Sequence, residues 1–130
     1  MWPHVQPLPG AVKLVKHLYK HGIPIGIATG TRRRNLQLKT GHLSELMECF
    51  GDRIVCADDG KLGPGRGKPC PDIFLIAARD LLGQRVGSAE QQEANEEEKG
   101  QRSKGLVFED AIPGMQAGKR AGMHGKLTLC

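Results

Sequence analysis

Gly105-Leu-Val-Phe-Glu109-Asp110-Ala-Ile-Pro-Gly-Met-Gln-Ala-Gly-Lys-Arg-Ala-Gly-Met123 is the stretch on which the fold turns. Leu106 to Phe108 is a short apolar run of the kind that makes a buried strand. Two carboxylates follow at once, Pro113 stands where a helix can begin, and Gly114, Gly118 and Gly122 recur every fourth residue. The order is strand, acidic loop, helix. In an open parallel sheet such a loop lies at the carboxyl end of its strand, where α/β proteins bind ligands. Adjacent acids there can hold a hard cation through oxygen, or they can simply cap the free amides of the helix and complement its dipole. Glycines at spacing four share one helix face. Each costs about 1 kcal/mol against alanine in a helix interior, so a close approach to the sheet is expected in return.

The chain has 130 residues, the size of one domain with a modest core. Residues 1–130 are therefore read as a single domain. Aromatic residues make up 4% and glycine contributes 18 positions, so the core must rest on Leu, Ile, Val, Ala and Met. The formal charge of +5 suits anionic partners, and Arg32-Arg33-Arg34 is the densest basic point. Nucleic acid is disfavoured: one Trp, one Tyr and three Phe leave little for base stacking, and no recognition motif is present. Cys49, Cys56, Cys70 and Cys130 show no metal-ligand spacing and read as reduced thiols of an intracellular protein. The opening residues lack the regions of a signal peptide, and no apolar run approaches membrane length. A soluble, cytoplasmic protein without a membrane partner is the default expectation.

Residues 1–10 carry three prolines and read as an extended lead-in. Residues 11–20 place Val12, Val15, Leu18 and Tyr19 on one side and Lys13, Lys16, His17 and Lys20 largely on the other, which is amphipathic helix spacing. Gly22 stops that helix. Residues 23–28 form a nearly continuous apolar run, expected as a strand buried on both faces. It ends in Thr29-Gly30-Thr31, followed by the arginines and a helical pattern over 35–47. Hydroxyls and backbone amides thus gather at a strand's carboxyl end and a helix's amino end, an arrangement that favours phosphate; Thr31 as a plain helix cap is the competing reading. A third strand is expected at 54–57, closed by Asp58-Asp59-Gly60. A glycine-rich, mobile connection then leads to Lys68-Pro69-Cys70-Pro71-Asp72 and a helix over 73–82. Residues 84–104 turn polar, with almost nothing to bury, and read as a solvated insertion loop or a frayed helix. A last short strand is expected at 126–130.

In this order, three motifs resemble the haloacid dehalogenase superfamily of phosphotransferases: Ile-Ala-Thr29-Gly-Thr at the end of an apolar strand, Gly67-Lys68-Pro69-x-Pro71-Asp72-Ile73-Phe74, and Val107-Phe108-Glu109-Asp110 with its glycine-rich helix. The pattern covers residues 7–129. Leu8-Pro9-Gly10-Ala11 and Lys20-His21-Gly22-Ile23-Pro24 look like the pseudouridine-5'-phosphatase-like branch in particular. The resemblance implies a Rossmann-like, three-layer α/β/α sandwich with a mainly parallel sheet, here a partial core without a cap domain. It also implies Mg²⁺-dependent hydrolysis of small phosphomonoesters, nucleotide or sugar phosphates, through an aspartyl-phosphate. Thr29 and Lys68 would be catalytic. Thr29, the Gly30 amide and Lys68 would hold the phosphoryl group, while Glu109 and Asp110 would hold Mg²⁺. Such roles make electrostatic sense, because phosphoryl transfer depends on bringing anionic groups together.

One departure from the family is decisive. Its nucleophile is the first aspartate of an Asp-x-Asp-x-Thr motif on the first strand. No Asp-x-Asp occurs in this chain, and none of Asp52, Asp58, Asp59, Asp72, Asp80 and Asp110 precedes Thr29. Covalent catalysis needs that carboxylate, so the isolated chain is expected to be inactive. The family's first strand would be central to the sheet, and an exposed sheet surface invites self-association. Two alternatives stand beside the phosphatase reading: a non-catalytic phosphate- and Mg²⁺-binding or regulatory module, and a phosphomutase-type relative. Bacterial receiver domains also combine acids, a hydroxyl and a lysine, but with the acid pair first; here it comes last.

Overall fold

The computed structural model describes residues 10–88 and 93–127. The elements are α1 (Ala11–Lys20), β1 (Ile27–Thr29), α2 (Arg33–Thr40), α3 (Ser44–Glu48), β2 (Ile54–Cys56), α4 (Asp72–Ile76), α5 (Glu96–Arg102), β3 (Leu106–Glu109), α6 (Ile112–Arg120) and β4 (His124–Leu127); α4 runs on into a π-helical turn at Ala77–Leu81. β1 pairs in parallel with β2, Ile27 opposite Ile54 and Thr29 opposite Cys56. β3 pairs in parallel with β4, Leu106 opposite His124 and Glu109 opposite Leu127. Parallel neighbours need a crossover: α2 and α3 supply it for the first pair, α6 for the second. The expected parallel architecture is therefore present as two βαβ units, each with its own two-stranded sheet.

The core lies where α4 packs against both β1 and α6. Ile73 and Leu75 of α4 are buried with Val55 of β2, Val107 of β3 and Ala117 and Ala121 of the α6 region. Of the three glycines expected on one helix face, Gly114 and Gly118 lie in α6 and are explained by the close approach expected there, while Gly122 follows the helix at φ 77° and turns the chain toward β4. A Cβ on Gly118 would lie 3.4 Å from the Val107 side chain, and one on Gly114 would overlap the Glu109 carboxyl group. Period-two alternation in β3 buries Val107 under α6 and leaves Leu106 and Phe108 57% and 47% exposed on the other face.

Several elements differ from their sequence expectation. Within residues 23–28, pairing begins only at Ile27, and β1 is half-buried throughout because β2 covers a single edge. Pro24 has no amide to donate to a ladder. The helix expected over 35–47 is two helices with a break at Gly41. Thr31 does not cap α2: Arg32 occupies the cap position without a side-chain bond. Residues 84–104 are not simply a solvated loop. Val86 and Ala94 are buried, Asn95 and Glu98 form a reciprocal capping box at the start of α5, and Arg102 at its end is fully buried. Arg102 Nε donates to the Val86 carbonyl at 2.7 Å. A polar composition hid this, since an arginine can bury its stem once its head finds carbonyl acceptors. The last strand begins at His124, two residues before the expected start, and is described to Leu127; residues 128–130, and the lead-in over 1–9, lie outside the described residues. Cys49 and Cys56 are buried free thiols, and Cys70 is a half-buried one. Among the described residues, no helix is long and apolar enough to cross a membrane.

Replacing Arg102 with Ala removes the donor to Val86 and opens a buried gap. The expected cost is roughly 2–4 kcal/mol, read as a lower midpoint in urea unfolding; an unchanged midpoint would show that the buried guanidinium contributes nothing net.

Candidate active site

The Lys68 ammonium joins the two sheets. Its Nζ lies 2.7 Å from Glu109 Oε2 and 3.3 Å from the Ala28 carbonyl oxygen, and so donates to the end of β3 and the end of β1 at once. Both side chains are sheltered, with Lys68 17% and Glu109 11% exposed. The Phe74 ring closes another side, its centroid 5.0 Å from Nζ, a favourable seat for a cation. The three motifs singled out in the sequence therefore meet at one place, the carboxyl ends of parallel strands.

Each remaining candidate residue sits beside that contact. Thr29 follows Ala28 directly, and its Oγ1 accepts from the Thr31 amide at 3.1 Å, turning the chain after β1. Gly30 is exposed, and a side chain there would meet nothing within 4 Å. Asp110 is exposed next to Glu109, and its amide donates to Glu109 Oε1 at 3.1 Å. Both oxygens of Glu109 thus have partners within the chain.

Sequence reasoning missed what holds the lysine loop. Arg66 forks onto both carboxylate oxygens of Asp72 at 2.6 and 3.1 Å, closing the glycine-rich connection against the first turn of α4. From the other side, Arg120 Nη1 of α6 donates to the Pro69 carbonyl at 3.2 Å. Lys68 is therefore presented from a segment tied at both shoulders. The only sequence signal was the recurrence of Arg and Asp around the motif, which does not specify partners.

The arginine cluster is not three equivalent cations. Arg33 donates from Nε and Nη2 to Asp59 at 3.0 and 2.7 Å and from Nη2 to the Ile54 carbonyl at 3.0 Å, while its amide donates to Asp58 Oδ1 at 2.9 Å. Asp59 also accepts from the Cys56 amide at 2.8 Å. The acid pair after β2 thus fixes the start of α2 and the loop behind Thr29. The Arg33 guanidinium holds the Asp59 carboxyl below its ordinary range, and the carboxylate in turn raises the guanidinium. Arg32 and Arg34 remain exposed.

Among the described residues, no group of three or more His, Cys, Asp and Glu side chains is placed to hold a metal. Consecutive carboxylates at a strand end nonetheless fit Mg²⁺ chemistry, which uses one or two protein carboxylates and keeps several waters. A hydroxyl, a glycine, a lysine and two acids thus gather at the carboxyl ends of parallel strands, where open α/β sheets bind their ligands. The family model for haloacid dehalogenase-like hydrolases matches residues 2–122, and the chain belongs to that family.

Individual relatives agree. The chain is 40% identical over 124 residues to (DL)-glycerol-3-phosphatase 2 of Arabidopsis thaliana, covering 95% of this chain and 45% of that protein. It is 35% identical over 123 residues to a probable pseudouridine-5'-phosphatase of Saccharomyces cerevisiae, covering 95% and 47%. A HAD family hydrolase of Deinococcus radiodurans, crystallised with bound phosphate and sodium, superposes with a TM-score of 0.71 at 27% identity, covering 95% of this chain and 45% of that one. The chain thus spans less than half the length of these relatives.

The Arg33–Asp59 pair makes a pH prediction. Because the Asp59 carboxyl is depressed in the folded protein, the stability it contributes is present above the ordinary carboxylate range, near about pH 4, and is lost as pH falls through the folded value. Wild type should lose stability between about pH 5 and pH 3 more steeply than Asp59→Asn, measured as thermal midpoints across that window. Parallel acid limbs would show that the pair is not coupled to folding.

Proposed function

We propose that this chain forms the carboxyl-terminal part of a Mg²⁺-dependent phosphomonoesterase site acting on a small phosphorylated metabolite, such as a nucleotide or sugar phosphate. The observation that carries this reading is the Lys68 ammonium, held between Ala28 beside Thr29 and Glu109 beside Asp110. Thr29 Oγ and the Gly30 amide would bind the phosphoryl oxygens, and Lys68 would neutralise their charge. Glu109 and Asp110 would hold Mg²⁺, whose contribution is further neutralisation of the phosphate oxygens. The phosphatase names of the Arabidopsis and yeast relatives support a small phosphomonoester as substrate.

Turnover needs a nucleophile that this chain does not contain. Neither carboxylate of the Asp58-Asp59 pair is available for that role, since one caps α2 and the other grips Arg33. The attacking carboxylate would have to come from a strand between β1 and β3, which the described residues do not include. By itself the chain would bind phosphate and Mg²⁺ without hydrolysing an ester. A purely regulatory binding module is the second reading, and the missing Asp-x-Asp favours it.

Titration calorimetry with inorganic phosphate in the presence of Mg²⁺ tests the site. Lys68→Ala should weaken phosphate binding by about 10-fold to 100-fold, the worth of a charge-assisted hydrogen bond, and the double change Glu109→Gln with Asp110→Asn should weaken Mg²⁺. Equal phosphate affinity in wild type and Lys68→Ala would defeat the assignment. Neither protein should hydrolyse p-nitrophenyl phosphate; turnover that disappears in Lys68→Ala would instead show that this chain carries its own nucleophile.

A further inference from the structure

Helix α1 carries a feature that phosphate chemistry does not use. His17 on its last turn and His21, which caps its carboxyl end, are both exposed, with ring centroids 4.2 Å apart and planes inclined by 37°. His21 Nδ1 lies 2.8 Å from the His17 carbonyl oxygen. A carbonyl can only accept, so Nδ1 carries the proton and the lone pair of the neutral ring sits on Nε2. A backbone carbonyl on one ring nitrogen is the usual device for orienting the other toward a metal.

We propose that His17 and His21 chelate a borderline divalent cation of the Zn²⁺, Ni²⁺ or Cu²⁺ class, in a site separate from the acidic pair. Two neutral imidazoles suit these ions and not Mg²⁺. The pair occupies the carboxyl end of a helix, where the backbone dipole favours positive charge. Of the neighbouring lysines, Lys16 is paired with Glu45 of α3, while Lys13 and Lys20 flank the rings and weaken the site, making it an exchangeable one. No third His, Cys, Asp or Glu among the described residues completes a cluster, so water fills the remaining positions. The site lies before β1 begins, at the other end of that strand from Thr29. Its effect would be mechanical: a chelate across one turn clamps α1, which buries no residue of its own.

Calorimetric titration of the untagged chain with Ni²⁺ tests this. One Ni²⁺ per chain is expected, with affinity reduced at least about tenfold in His17→Ala and in His21→Ala, since even outer partners of a metal ligand are worth that much. His124→Ala should bind like wild type, and excess Mg²⁺ should not displace the ion. Saturating Ni²⁺ should raise the thermal midpoint of wild type and not of either single variant. His17→Gln, which keeps helix propensity and polarity, should repeat the loss and so separate ligation from folding. Unchanged Ni²⁺ affinity in both single variants overturns the proposal, as does a site lost in Glu109→Gln or displaced by Mg²⁺.

Discussion

One ammonium group between a carbonyl and a carboxylate ties two parts of this molecule together. Lys68 reaches the Ala28 carbonyl of β1 and the last residue of β3, two strands that share no hydrogen-bond ladder. A sheltered charge is tolerated only when it is paired and hydrogen-bonded, and the pairing also decides position. Glu109 can lie flat toward Lys68 because Gly114 leaves room beside it. Lys68 can arrive from the far side because Arg66 and Arg120 fasten its loop. On the proposed reading, a phosphate and a divalent cation entering together would replace the internal ion pair charge for charge, with the cation taking the carboxylates and the anion taking the lysine.

How much of this was written in the sequence depends on the range of the interaction. Strand–acid–helix at 105–123 was legible because apolar run, carboxylates, proline and glycine spacing are all local signals, and the observed β3 and α6 follow them. Grouping Thr29, Lys68 and Glu109 was legible from the resemblance rather than from spacing, for the residues lie 41 positions apart between Lys68 and Glu109 alone. The braces were invisible. Nothing local distinguishes Arg33, which grips Asp59, from Arg32 and Arg34, which do not. Arg102 illustrates the same limit: polar composition predicts solvation, and only the fold brings the Val86 carbonyl to its guanidinium.

The boundaries that shifted have a common cause. β1 is shorter and more exposed than an apolar run over residues 23–28 suggests because burial on both faces needs neighbours on both edges, and β2 supplies one. The break between α2 and α3 at Gly41 likewise reflects where the chain must turn to bring β2 alongside β1. Tertiary pairing, not local preference, set both limits.

Two separate ladders have a consequence for how the protein breathes. Backbone hydrogen bonds couple β1 to β2 and β3 to β4, while side chains alone couple one pair to the other. Cooperative opening follows continuous hydrogen bonding and packing. Amide protection should therefore fall into two blocks, one for each βαβ unit, with α4 as the hinge of shared burial between them. Between the two blocks, the shared core around α4 and the Lys68 contact are what the sheets have in common.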